Sequence, residues 1–189
     1  MVHVDGKFEP LKPLMQAMPG SPMVNTTSAN KHVPEIKQRV RVVKEKSSAT
    51  KHGLPFSRMP KLIAMFIAFA AAKMLNLFPP KGGASAILSP RTIMSGKTLD
   101  HKKHFALRIG QHCQVHQEDA PCNSQLPRTK GAIALGPGGN LQGSFKFVAL
   151  DSGKKITRRN WDVIPMTDAV VTQVNELGRD QPEQSVFAD

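Results

Sequence analysis

KGAIALGPGGNLQGSFKFVALDSGKKITRRNWDVI, residues 130–164, alternates short apolar runs with turn chemistry. "KGAIALG" is a compact apolar strand, "SFKFVALD" alternates as a half-buried strand does, and "KKITRRNWDVI" closes the series. The turns between them, "GPGGNLQGS" and Asp151-Ser152-Gly153, are hairpin chemistry, because glycine accepts the positive φ that tight turns need. Upstream, "RIGQHCQVH" alternates in the same way. Four or five short strands over about 60 residues predict a small β-barrel spanning 105–165.

Before this unit, "PPKGGASAILSPRTIMSGKTLD" is punctuated by Pro and Gly and reads as a linker, 79–104. It follows "LIAMFIAFAAAKMLNLF", residues 62–78, whose uncharged part before Lys73 covers 11 residues. A membrane span needs roughly 20, so a buried helix stopped by Pro79-Pro80 is expected, with Ser57 as its cap and Pro60 in its first turn. The run from Glu35 to Lys51 predicts a second helix, with Pro34 at its start and Ile36, Val40 and Val43 at helical spacing. The alternation Arg39-Val40-Arg41-Val42 also permits a strand. "VHVD" is a short strand candidate, and residues 10–34, with five prolines, are expected to be loop-rich. The whole is an α+β chain.

With 189 residues there is length for one ordinary domain or two small ones. Aromatic residues make up 5% and Tyr is absent, so the expected core is aliphatic and Met-rich. The net charge of +12 is unevenly spread: residues 1–160 carry 25 Lys+Arg against 8 Asp+Glu, and 161–189 carry one Arg against six acids. The body is as basic as a nucleic-acid binder, whose phosphate attraction is sequence-independent and salt-sensitive. A membrane surface or an acidic protein are the other partners such charge permits. Residues 166–189 read as an acidic tail. Two cysteines and no apolar leader in the first twenty residues make an intracellular protein, nuclear or cytoplasmic, the expectation.

Candidate chemistry is sparse. Asp5, at the end of "VHVD", and Glu35, opening a basic helix, are the kind of paired carboxylates a metal-dependent phosphoryl-transfer enzyme uses, though two-metal chemistry needs more than two. Lys37, Arg41, Lys44 and Lys51 mark one helix face, while Glu35, Arg39 and Lys46 share another. Lys130, Lys146, Lys154, Lys155, Arg158 and Arg159 decorate the strand-rich unit. Each basic set suits a phosphate backbone; each also reads as a solvated face or a guarded sheet edge. His101, His104, His112, Cys113, His116 and Cys122 crowd together without the CxxC spacing of a zinc site. Nucleophilic pairing of Cys113 with His112 is disfavoured, because neighbouring side chains on a strand face opposite ways. "GPGGN" lacks the Lys-Ser/Thr ending of a phosphate loop and reads as a hairpin turn. Trp161 suits either stacking on a base or core packing.

Taken in order, "HVPEIKQRVRVVKEK", "LPFSRMPK", "LNLFPPKGGASAILSPRTIMSGKTLDHKKH" and "RTKGAIALGPGGNLQGSFKFVALDSGKKITRRNWDVIPM" resemble the integrase region of a copia-type LTR retrotransposon Pol polyprotein. The resemblance runs from the end of the RNase H-like catalytic core into the SH3-like barrel upstream of reverse transcriptase. It implies that residues 1–34 are a remnant of the core and 35–78 its two-helix end. It makes Glu35, which stands twenty residues before Pro55 of "GLP", the family's final catalytic glutamate. Asp5, followed by Phe8, resembles the family's central aspartate, although "DGKF" and the 29 residues separating it from Glu35 are shorter than the family pattern.

In the intact family three carboxylates hold magnesium and activate water or a DNA 3′-hydroxyl. The resemblance implies that the first aspartate and the zinc-binding module would stand upstream of Met1, leaving Asp5 and Glu35 vestigial and the chain without a cofactor as it stands. The expected function is therefore non-catalytic, non-specific DNA binding, with no membrane partner. Two other readings stand beside it: a domesticated or structural module that binds a protein, and a pseudogene product.

Overall fold

The strands of the C-terminal half owe their stability to two apolar faces rather than one. The computed structural model describes residues 2–4, 10–17, 24–26, 34–98, 100–117, 125, 127–140 and 142–179. Here β3 (His112–His116), β4 (Thr129–Pro137), β5 (Phe145–Ala149), β6 (Lys155–Arg158) and β7 (Trp161–Val163) form one antiparallel sheet in the order β6-β5-β4-β3-β7. Along β4, Ala132 and Ala134 point into one cluster with Cys113, Val115, Phe145 and Phe147, while Ile133 and Leu135 point into another with Val148 and Leu150. That two-residue alternation is the strand period, and it explains why β4 reads as continuously apolar.

The sheet is curled. Strands β6 and β7 are its opposite edges, yet only Arg159 and Asn160 lie between them in the chain. Three Cα steps span at most about 11 Å. A flat five-stranded sheet would hold its edges about 19 Å apart. A register shift between Ala134 and Gly136, where Gly136 takes φ 141°, supplies a bulge that bends β4. The inner cluster closes on itself, with Trp161 on β7 packed over Phe145 and Phe147 on β5.

Helices cover the outer face. α3 (Lys61–Leu77) buries Ile63, Ile67 and Ala71, spaced by four residues, so they line one stripe. Ile63 and Ile67 share a cluster with Ile133, Leu135 and Val148; burying each such side chain is worth about 1.5–3 kcal/mol. α6 (Asp168–Arg179) adds Val170, Val171 and buried Val174, with Asp168 in its first turn and Arg179 in its last, both favourable to the helix dipole. Asn175 Oδ1 accepts from the Arg58 N–H at 2.9 Å, and Gln173 donates to the Leu150 carbonyl at 3.0 Å. These bonds tie α6 to the chain before α3 and to the end of β5.

The chain divides into two units, 1–45 and 46–189. In the first, β1 (Val2–Val4) pairs in parallel with β2 (Val24–Thr26), and α1 (Lys12–Gln16) lies between them in sequence. α2 (Pro34–His52) begins at the proline the sequence nominates and contains the boundary between the two units. α4 (Pro90–Ser95) and α5 (His101–His104) complete the second unit.

Several expectations change. The α+β class holds. Residues 10–34 contain a helix and a strand, because Pro13 fits a helical first turn where its missing N–H costs nothing. Residues 79–104 contain α4, capped by Ser89 Oγ accepting from the Thr92 N–H and ended by Gly96 at φ 66°, and α5. The segment read as an acidic tail forms α6 over 168–179, since its valines recur on one face. Pro60, not Ser57, occupies the cap position of α3. The core is aliphatic with buried Phe56, Phe145 and Phe147; among the described residues no methionine is fully buried, although Met59 and Met166 pack against the core.

Candidate functional site

The expected carboxylate pair falls largely outside the described residues: Asp5 does so entirely, and Glu35 is described only by its backbone position in the first turn of α2. Further along α2, Lys37, Arg39, Arg41 and Lys46 are exposed and Lys44 is half-buried. Arg41 is engaged by Glu45 one turn on, its Nε donating to Oε1 at 2.7 Å, and this raises the guanidinium's pKa. Ile36 and Val40, two of the three residues of the expected apolar stripe, are exposed at 51% and 49%.

On the curled sheet, the β5–β6 hairpin collects the basic residues. Lys154 and Lys155 are exposed beside the Asp151–Gly153 turn, where Gly153 takes φ 64°. Register places Lys155 opposite Val148 and Arg158 opposite Phe145. Lys155 therefore belongs to the outer face and Arg158 to the inner one, where it is half-buried, with Nη1 donating to the Thr157 carbonyl at 2.9 Å. Arg159 is exposed in the short crossing to β7. Lys130 lies 3.6 Å from Asp151, so part of its charge is neutralised locally. A hydrogen bond from Ser152 holds the Asp151 carboxyl below its ordinary pKa, with the Lys130 charge acting in the same direction. Lys154, Lys155 and Arg159 are thus exposed along β6 and its ends, at the edge of the sheet.

Trp161 packs against Phe145 and Phe147 at ring-centre distances of 4.9 and 5.9 Å. The packing reading of this residue describes its surroundings. The histidines and cysteines scatter. His112 is buried with Nδ1 3.0 Å from the Pro165 carbonyl, while Cys113 faces the inner cluster, so the two are on opposite sides of β3. Burial pushes the Cys113 thiol up to about 11. His116 lies 3.3 Å from Asp162. Cys122 lies outside the described residues. Among the described residues no group of three or more His, Cys, Asp or Glu is placed to hold a metal, and no helix is long and apolar enough to cross a membrane. "GPGGN" connects β4 to β5: the Gly138 N–H donates to the Ser144 carbonyl at 2.7 Å, and Asn140 Oδ1 accepts from the Ser144 N–H.

A basic cluster that sequence reading passed over lies between α3 and α4. Lys73 is half-buried, and its pKa is lowered by burial first and then by the charges of Arg91 and Lys146. Its signal in the sequence is a single lysine interrupting an apolar run. Arg91 carries no such mark, and Lys146, one of the cations of the strand-rich unit, is brought near only by folding.

Comparison with protein-family models, with curated proteins and with solved structures produced no match to this chain.

Proposed function

We propose that this protein binds nucleic acid non-specifically through its basic surfaces and is an integrase-like remnant of a copia-type element without strand-transfer activity. The observation that carries the reading is the exposed basic edge Lys154-Lys155-Arg159 on a curled five-stranded sheet, in a chain of net charge +12. A groove or edge of cations on a small barrel tracks a phosphate backbone without reading bases. The exposed cations of α2 offer a second such surface.

Two features of the fold support the finer assignment. The order β6-β5-β4-β3-β7, in which the last strand returns beside the first, is what an SH3-like barrel requires. The run β1, α1, β2, α2 with parallel pairing of β1 and β2 suits the end of an RNase H-like core, Asp5 following the first strand and Glu35 opening the last helix. Magnesium would need carboxylates beyond these two, so no chemical step is assigned to them.

The alternative is a protein-interaction module, favoured by exposed apolar side chains such as Phe69 at 63% and Met94 at 87%. Salt separates the two. Binding to a labelled duplex, followed by fluorescence anisotropy, should weaken steeply between about 50 and 200 mM salt. Lys154→Gln with Lys155→Gln should reduce the slope of log K against log salt by about 2. Duplex affinity that ignores salt, or that the double variant leaves untouched, overturns the reading; strand transfer with divalent metal and donor-end DNA would overturn its non-catalytic part.

A further inference from the structure

α3 and α4 border an open cleft of about 360 Å³ whose polar lining is Lys73, Asn76, Arg91 and Ser95. No acidic residue is among its described lining, and none of the described carboxylates forms an ion pair with Lys73. After Lys61, Lys73 is the only charged residue of α3. Lys73 is half-buried, and its pKa is lowered by that burial first and then by the like charges of Arg91 and Lys146.

Arg91 is held in place rather than left to swing. Its Nη1 donates to His104 Nε2 at 2.6 Å, and His104 Nδ1 donates to the Asp100 carbonyl at 2.8 Å. The carbonyl only accepts and the guanidinium only donates, which fixes the imidazole tautomer. One guanidinium donor is thereby committed, and the planar fork keeps others to offer.

We propose that this cleft binds a phosphate ester, with the phosphate between Lys73 and Arg91 and the organic part against Leu77, Pro90 and Met94. Two cations lining one cleft, one of them a pre-oriented fork, match a phosphate dianion in charge and in donor chemistry. Cations crowded without a counter-charge are costly, and an anion between them removes the repulsion. The cleft falls at the small end of the range for small-molecule sites, about 300–1,000 Å³, and exceeds what a bare phosphate fills. Its apolar wall accounts for the remainder. The proposal does not depend on the nucleic-acid reading.

The test is calorimetric titration of the full chain with inorganic phosphate, adenosine monophosphate and adenosine, beside thermal melts. The monophosphate should bind about tenfold or more tightly than inorganic phosphate and raise the melting temperature, and adenosine should do neither. Lys73→Met keeps the apolar stem and removes the charge, so it should fold at least as stably and lose both phosphate ligands; Arg91→Gln should weaken them as well. Displacement of the monophosphate by a short single-stranded oligonucleotide would make the source a nucleic-acid phosphate, and failure to displace it would make the ligand a small molecule. Equal binding to wild type and K73M, no binding to wild type, or equal affinity for phosphate and its ester overturns the proposal.

Discussion

The indole of Trp161 lies 4.9 Å from the ring of Phe145, centre to centre, although β7 and β5 are separated in the sheet by β3 and β4. Strands three positions apart in a flat sheet would be about 14 Å from each other. The contact is therefore made across the interior of a curled sheet, and Trp161 is what closes it.

Trp161→Ala should lower the stability of the second unit by about 3 kcal/mol, the low end for loss of a large aromatic, because the indole is only half-buried. Trp161→Phe should recover much of this. Urea denaturation followed by circular dichroism measures both. An unchanged midpoint in the alanine variant would mean that the ring does not seal the interior.

α3 shares its buried cluster with β4, so its central amides should exchange hydrogen with nearly the same opening free energy as those of β4. Ile67→Ala should accelerate both sets together, at a cost of about 2–5 kcal/mol. Exchange followed by mass spectrometry reads this directly. A helix that opened well before the sheet would restore the picture of independent segments joined by a linker.

Gly178 presents two opposed effects. Alanine is better by about 1 kcal/mol inside a helix. A Cβ at this position, however, would meet the Arg58 carbonyl carbon at 2.9 Å and the Met59 nitrogen at 3.0 Å, and neither backbone atom can swing aside. Gly178→Ala should thus destabilise the protein and loosen α6. A higher melting temperature would show that helix propensity wins.

The buried Cys113 thiol, raised to about 11 by desolvation, links stability to alkaline pH. Folding favours the protonated thiol, so this contribution is intact below the unfolded pKa near 9 and is lost as pH climbs toward 11. Wild type should lose about 2 kcal/mol more than Cys113→Ala across that interval. Every other group is common to the two proteins and cancels in the comparison. Parallel urea midpoints for the two would contradict the burial assigned to this thiol.

Local signals made particular elements legible. The alternation in "SFKFVALD", the glycines of the two hairpins and the helix opened by Pro34 all correspond to observed elements, because strand period, turn conformation and helix start are properties of neighbouring residues. The pairing of β7 with β3 was not legible, since it joins Cys113 to Val163 across most of the sheet. Nor was the role of α6, whose acids suggested a solvated tail while its valines supply a packing stripe. Of the basic residues nominated for binding, exposed Lys154 and Lys155 differ from salt-bridged Lys130 only in the fold.

By itself the sequence determined the mixed class, the β-rich C-terminal half and the strongly basic surface, all set by composition and by short-range periodicity. Tertiary structure alone decided that β7 pairs with β3, that α3 and α6 cover the outer face of the sheet, and that Lys73, Arg91 and Lys146 come close enough to repel. Those outcomes depend on burying both faces of one sheet, a requirement that acts between segments far apart in the chain and leaves no mark on any of them singly.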